Sequence, residues 1–326
     1  MEFQTATTSN SPRKNATNVH IRLPSARVLL GIASTALTVL IFGLISLGGL
    51  VRNAGAGLSC PDWPLCFGQV VPPMNMQVFL EWFHRLIAGS VSACLLGITA
   101  TVFYKPELRR KLGKYCVTSI ALLGMQIVLG GLTVLGLLNP KWVSSHLAVG
   151  LAFFGSVLWL TLNIRDLNRP AASQQISDSK HLSSAAPRSL VIMATATTVV
   201  LYGQTLLGAL VSSNYAGLAC PDFPTCNGLW IPVMEGLVRF QVLHRIGALT
   251  ATAFIVALCL MAVGQPISPR GRTALRLLPV LLSFQIFLGV GSVLLKLPLP
   301  MSVAHLGTAA ALFGMLLVTM YEVRRS

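Results

Sequence analysis

The sequence predicts an all-α integral membrane protein, with eight transmembrane helices arranged as two four-helix bundles related by a pseudo-two-fold axis. Three observations predict it: a composition too apolar for a soluble domain, eight apolar stretches of membrane-spanning length, and an internal repeat. Hydrophobic residues make up 54% of the 326 and charged residues 10%, with a mean hydropathy of +0.72. A soluble domain carries roughly 25% charged residues. The apolar stretches lie near 28–51, 79–103, 115–138, 142–164, 189–211, 239–263, 274–295 and 301–321, and ~20 residues suffice to cross a bilayer. The first is too long for the core of a signal peptide and no cleavage signal follows it, so it is expected to stay as a span. No soluble domain of any size is left over.

A net charge of +15 invites a nucleic-acid reading, but the positions of the charges exclude it. Basic residues cluster before span one, between spans two and three, four and five, and six and seven, and after span eight. These segments hold 18 of the 24. By the positive-inside rule, that face is cytoplasmic and so are both termini. The surroundings expected are a prokaryotic-type plasma membrane or an equivalent inner membrane. The bilayer is the partner this charge implies; a homo-oligomer is left open.

The repeat begins in span one, where LGGLV at 47–51 is answered by LGALV at 207–211. After spans one and five come two outer loops, GLSCPDWPLC at 57–66 and GLACPDFPTC at 217–226, identical at seven of ten positions. Spans two and six share His-Arg at 84–85 and 244–245. Spans three and seven share QIVLG at 126–130 and QIFLG at 285–289, and spans four and eight share SHLAVGLAFFG at 145–155 and AHLGTAAALFG at 304–314. Four spans is an even number, so both units enter from the same side, as parallel repeats do. Short connections favour an up-down-up-down bundle in each. The expected organisation is a tail over 1–27, an N-terminal bundle over 28–164, a polar linker over 165–188, a C-terminal bundle over 189–321, and a tail over 322–326.

Each element carries a few residues that composition does not explain. Of the seven cysteines, Cys94, Cys116 and Cys259 lie within spans and read as small apolar fillers. Cys60 and Cys66 share the first outer loop, and Cys220 and Cys226 the second, on the oxidising side where disulfides persist. Prolines at 61, 64, 221 and 224 bend each loop so that its cysteines can meet. Two structural disulfides are favoured over a redox-active pair or a four-cysteine metal site, because C-x-x-C spacing and a nearby His are missing.

His20 and His181 fall in polar cytoplasmic segments, where a solvated His is the ordinary reading. The other four occupy matched positions: His84 and His244 in the second span of each unit, His146 and His305 in the fourth. A lone membrane His often serves a helix–helix hydrogen bond; four at equivalent places are harder to set aside. Spans two and four both start at the outer surface. His84 and His146 are then expected ~5–6 Å below their helix starts, at 1.5 Å per residue. Two imidazoles at one depth on diagonal helices suit axial ligation of a planar haem, whereas zinc wants three or four ligands. Arg85 and Arg245 are candidates for haem propionates or for snorkelling to headgroups. Gln126, Gln204 and Gln285 read as interhelical hydrogen-bonding residues, and Gly48, Gly49, Gly130 and Gly131 as sites of close helix approach. Glu81 breaks the symmetry, since its counterpart is Gln241. The reading as a first-turn carboxylate favoured by the helix dipole competes with that of a proton acceptor beside one haem only, which is preferred.

With these residues in place, the chain resembles the heme A synthase family from span one to span eight. The resemblance rests on GLxCPD-xPxC, EWFHR at 81–85, SHL at 145–147, LHR at 243–245 and AHL at 304–306. It implies two four-helix bundles and oxidation of a methyl group of haem O to the formyl group of haem A, with oxygen from water. It also implies that His84 and His146 hold the substrate haem with Glu81 as catalytic carboxylate, that His244 and His305 hold a resident haem b, and that a haem O synthase is the donor. The electron acceptor is unspecified. The paired cysteines match one branch of the family, as structural bridges or as a redox relay. Rivals of other classes are a non-catalytic di-haem b-type electron carrier and a quinone-coupled disulfide oxidoreductase.

Overall fold

The computed structural model describes residues 26–169 and 186–325. The tail up to residue 25, most of the expected linker, Ser326, His20 and His181 lie outside the described residues. Eight helices follow in order: α1 (Ala26–Asn53), α2 (Met76–Tyr104), α3 (Pro106–Leu135), α4 (Pro140–Leu167), α5 (Arg188–Ser213), α6 (Val238–Met261), α7 (Pro269–Leu294) and α8 (Leu299–Val323). All eight are long and apolar enough to cross a membrane. The chain is an all-α integral membrane protein.

The helix boundaries have local causes. Asn75 caps α2, its side-chain oxygen accepting from the Val78 amide at 2.9 Å, and Ser268 caps α7 by accepting from Gly271 at 3.0 Å. Pro106, Pro140 and Pro269 open α3, α4 and α7, where the missing amide hydrogen costs no helical bond. Two expected boundaries are corrected. Span three was expected over 115–138, but α3 starts at Pro106, because the helix continues through the basic turns from Arg109 to Lys114 beyond the apolar stretch. It ends at Leu135, because Leu137 and Leu138 adopt left-handed backbone at φ 51° and 56°, a conformation rarely taken by leucine.

In the first unit α1, α2, α3 and α4 form a ring in which each helix packs against the next and α4 closes on α1. The second unit forms the same ring from α5 to α8. Between units α1 packs on α8, α4 on α5, and α4 on α8. The central helices α4 and α8 are therefore the most enclosed, while α2 and α6 touch only the neighbours in their own ring. Buried Leu37, Ile41, Leu151, Leu160, Leu312 and Leu316 belong to one continuous core spanning both units. Polar contacts tie the units together as well. Ser144 meets Ser213 at 2.9 Å, and the Tyr202 hydroxyl donates to the Ala148 carbonyl at 3.0 Å. Near the end of α4, buried Asp166 accepts from the Tyr321 hydroxyl at 2.6 Å and pairs with Arg325.

Pro279 sits inside α7 and cannot donate to the Leu275 carbonyl one turn earlier. The Cys259 thiol of α6 takes that carbonyl at 3.9 Å, so this cysteine is more than a filler. Cys94 and Cys116 do pack in the apolar core.

Candidate functional site

The four matched histidines project from α2, α4, α6 and α8, and all four rings are half-buried. In the second bundle the His244 and His305 rings face each other with centroids 6.4 Å apart and planes at 76°. The expected depth is corrected. His84 lies eight residues after Met76, ~12 Å from its helix start, and His146 lies six after Pro140, ~9 Å at 1.5 Å per residue. The sequence estimate was short because it counted from Glu81 and Trp142, which lie five and two residues inside α2 and α4.

Each ring lies on a glycine of the adjacent helix. A methyl group built on Gly48 would stand 3.2 Å from Cε1 of His84, and on Gly130 3.3 Å from Cε1 of His146. On Gly208 it would stand 3.0 Å from Cε1 of His244, and on Gly289 2.9 Å from Cε1 of His305. The expectation of helix-on-helix contact at Gly48 and Gly130 is thus replaced by ring-on-helix contact. Gly49 does admit a neighbouring helix through Leu306, and Gly131 admits the Trp63 ring of the outer loop. Glutamines hold the rings from the side. Gln126 Nε2 is 3.3 Å from His146 Nε2, and Gln285 Nε2 is 3.3 Å from His305 Nε2. All three expected glutamines do bridge helices, and in each case the partner is a histidine.

Polar atoms in this layer are left over. Nδ1 of His84, His146 and His305 is buried without a hydrogen-bond partner, an arrangement unfavourable by ~1–3 kcal/mol per group unless something else uses it. Two imidazoles on opposite sides of one metal at ~2.0–2.1 Å hold their ring centres about 6.4 Å apart, which is the separation of the His244 and His305 ring centres. No group of three or more His, Cys, Asp or Glu side chains that could hold a metal ion occurs among the described residues. A metal with four in-plane ligands of its own, as in haem, suits a two-histidine donor set.

The sequence profile of the family described as cytochrome oxidase assembly protein, COX15-CtaA, matches residues 32–317. The chain belongs to that family. Among curated relatives it is 30% identical over 319 residues to the heme A synthase of Shewanella oneidensis, covering 85% of this chain and 92% of that protein. It is 29% identical over 306 residues to the heme A synthase of Bacillus licheniformis, covering 92% and 97%. To that of Rhizorhabdus wittichii it is 26% identical over 328 residues, covering 86% and 89%.

Within this family member, the two cysteine loops are fastened to α2 and α6 beside the histidines. Cys60 is bonded to Cys66 and Cys220 to Cys226, with Cα atoms 4.8 and 4.5 Å apart. This leaves no four-thiolate site. All four cysteines are buried. Asp62 folds its loop by accepting from the amides of Phe67 at 2.6 Å and Gly68 at 2.7 Å. Asp222 does the same with Asn227 at 2.6 Å and Gly228 at 2.9 Å, and also accepts from the Thr225 hydroxyl. The Thr225 hydroxyl, then the Gly228 amide, hold the Asp222 carboxyl down at about 2. The Gly68 amide lowers that of Asp62.

Arg85 and Arg245 are spent on these loops. Arg85 donates to the carbonyls of Asp62 at 2.8 Å, of Leu65, and of Cys60 at 3.5 Å. Arg245 donates to Thr225 at 2.6 Å, Asp222 at 2.8 Å and Cys220 at 2.9 Å. Neither guanidinium snorkels outward, and both fasten a disulfide loop to the helix carrying a histidine. Glu81, only 4% exposed, joins the first of these knots: Oε1 pairs with Arg85 at 2.6 Å and Oε2 accepts from the Cys60 amide at 2.9 Å. It stands in the second turn of α2 rather than the first, so the helix dipole does not account for it. Gln241 is equally buried at 4%, but its Oε1 has no partner. The signal that could have exposed the loop role of both arginines was their repetition beside the cysteine loops.

Proposed function

We propose that this protein is a heme A synthase, converting a methyl group of haem O to a formyl group with oxygen from water. The observation that supports this most is one matched histidine pair per bundle, with a buried carboxylate three residues before the α2 histidine and an amide at the matching place in α6. Replacing CH3 by CHO at the expense of one water releases four protons and four electrons. The site must therefore hold a macrocycle, take up protons and pass electrons on.

In this reading His84 and His146 hold the substrate through its iron. Gly48 and Gly130 let the two rings lie flat against their neighbouring helices. Glu81 faces a reaction that builds positive character at the macrocycle edge. Each of its oxygens has one partner and keeps a lone pair, so the side chain can stabilise that charge or take up a proton. The loop bridged by Cys60 and Cys66 covers this bundle mouth and limits water to what the reaction consumes; its buried sulfurs favour a structural role. His244 and His305 would hold a resident haem b, which supplies one-electron transfer. The basic ends of the helices face the cytoplasm and the disulfide loops the outside. A haem O synthase delivers the substrate, and a separate acceptor takes the electrons.

Chromatography of haems extracted from the purified protein tests the reading. Haem O or haem A beside haem b is expected. Haem b alone would mark a di-haem electron carrier, and no haem at all would leave the disulfides as the chemistry.

A further inference from the structure

The two histidine layers are not equivalent, and the difference lies in two residues that the repeat changes together. In the second bundle Gln204 of α5 donates through Nε2 to the His244 carbonyl at 2.9 Å, and the same nitrogen lies 3.0 Å from His244 Nδ1. One amide thus grips both the backbone and the ring of a single histidine. It can do so because position 247 is glycine: a methyl group there would stand 2.1 Å from Gln204 Oε1, closer than any side chain permits. At the 160-residue offset, Gln204 corresponds to Leu44 and Gly247 to Ile87, both apolar and packed on the core. Correspondingly, His84 Nδ1 is buried without a partner. The amide and the space it needs are present together in one unit and absent together from the other.

We infer that Gln204 is a positioning residue that locks the His244 ring and makes the C-terminal pair a retentive site, whereas His84, without such a clamp, belongs to a site that exchanges its occupant. This rests on the reading that both pairs bind haem. Gln204 Nε2, itself anchored on the His244 carbonyl, stands against the Nδ1 edge of the ring and so fixes the ring's orientation. Outer partners of this kind are worth roughly 10–100-fold in metal affinity. A site that must keep its group through many turnovers gains from one. A site that must release product after each turnover does not.

The test uses the full-length protein in lipid nanodiscs, loaded with haem b, with excess apomyoglobin as a haem scavenger. Gln204→Leu removes the clamp, and Gln204→Leu/Gly247→Ile copies the first unit so that the space stays filled. Both variants are expected to lose haem b at least ~10-fold faster than wild type. Both should also show a changed low-spin electron paramagnetic resonance signal, which reports the angle between the two imidazole planes. The double variant should keep the unfolding temperature of the haem-free protein. Loss rates and spectra indistinguishable from wild type in both variants would overturn the inference, as would a fall in unfolding temperature of the double variant large enough to match the faster loss. If instead wild type carries no haem that His244→Ala removes, the underlying reading of the second bundle fails, and that result is distinct from either.

Discussion

Replacing Glu81 by glutamine separates its structural from its chemical contribution. The carboxylate has two partners of the same kind, both donors: Arg85 at 2.6 Å and the Cys60 amide at 2.9 Å. An amide presents one oxygen and one NH2 group, so whichever way it turns, one donor faces a donor. Breaking a buried ion pair by removing one partner costs ~3–5 kcal/mol. Here the guanidinium keeps the carbonyls of Asp62 at 2.8 Å, Leu65 and Cys60 at 3.5 Å. The cost therefore falls to that of one unsatisfied buried donor, about 1–3 kcal/mol. The second bundle contains the result: Gln241 is buried with an unpartnered oxygen, and Arg245 still grips its loop through three carbonyls within 2.9 Å. Glu81→Gln is thus expected to fold, keep its disulfides and hold haem. It should lose haem A formation by ~10²-fold or more, the usual scale for a general base or electrostatic stabiliser. The assay is haem A formed per haem b in membranes supplied with haem O, with thermal unfolding beside it. Conversion near that of wild type would remove Glu81 from the chemistry. An unfolded protein would show that the loop carbonyls do not compensate for the lost pair.

Three further outcomes are expected. His244→Ala or His305→Ala should strip haem b and leave the first bundle intact, while His84→Ala or His146→Ala should spare the haem b spectrum and abolish conversion; loss of the same spectral component in all four would contradict separate sites. Gly208→Ala places a methyl 3.0 Å from His244 Cε1 and should weaken haem b binding by ~10-fold. Gly203→Ala, one turn away in open space, should leave binding unchanged, and equal spectra for the two would refute ring-on-glycine packing. The Asp222 carboxyl lies below its ordinary 3.8, at about 2, so its hold on the loop is complete above 3.8 and fades as pH falls through about 2. Amide exchange at Asn227 and Gly228 should accelerate only in that acid range, and acceleration already at pH 5 would be inconsistent with it.

The sequence was most informative where chemistry is written in residue type and period. Eight spans followed from hydropathy, the two-unit order from the repeat, and the disulfide pairs from two cysteines in each repeated loop. The expected interhelical role of Gln126, Gln204 and Gln285 followed from the rarity of amides in lipid. Side-chain direction was not legible. Gly48 and Gly130 read as helix contacts because a glycine records only that something comes close, not whether it is a backbone or a ring. Arg85 read as either a propionate contact or a snorkelling side chain, because its partners in the structure are backbone carbonyls, which every residue has and no sequence displays. The extra turns at the start of α2 and α3 were missed because a hydropathy window sees where lipid begins, while a helix ends where its cap is, at Asn75 or Pro106.

Each histidine pair joins unlike supports. His146 and His305 stand on α4 and α8, clasped by protein on several sides, whereas His84 and His244 stand on α2 and α6, which pack only on the neighbours in their own ring. In a bilayer, annular lipid would complete the wall of the proposed site on that side. A detergent that strips this lipid should loosen the outer arm of each pair first, leaving the proposed haem held by one histidine while the inner helices remain folded. If the pairs bind haem as proposed, the choice of membrane mimetic is a choice of coordination environment.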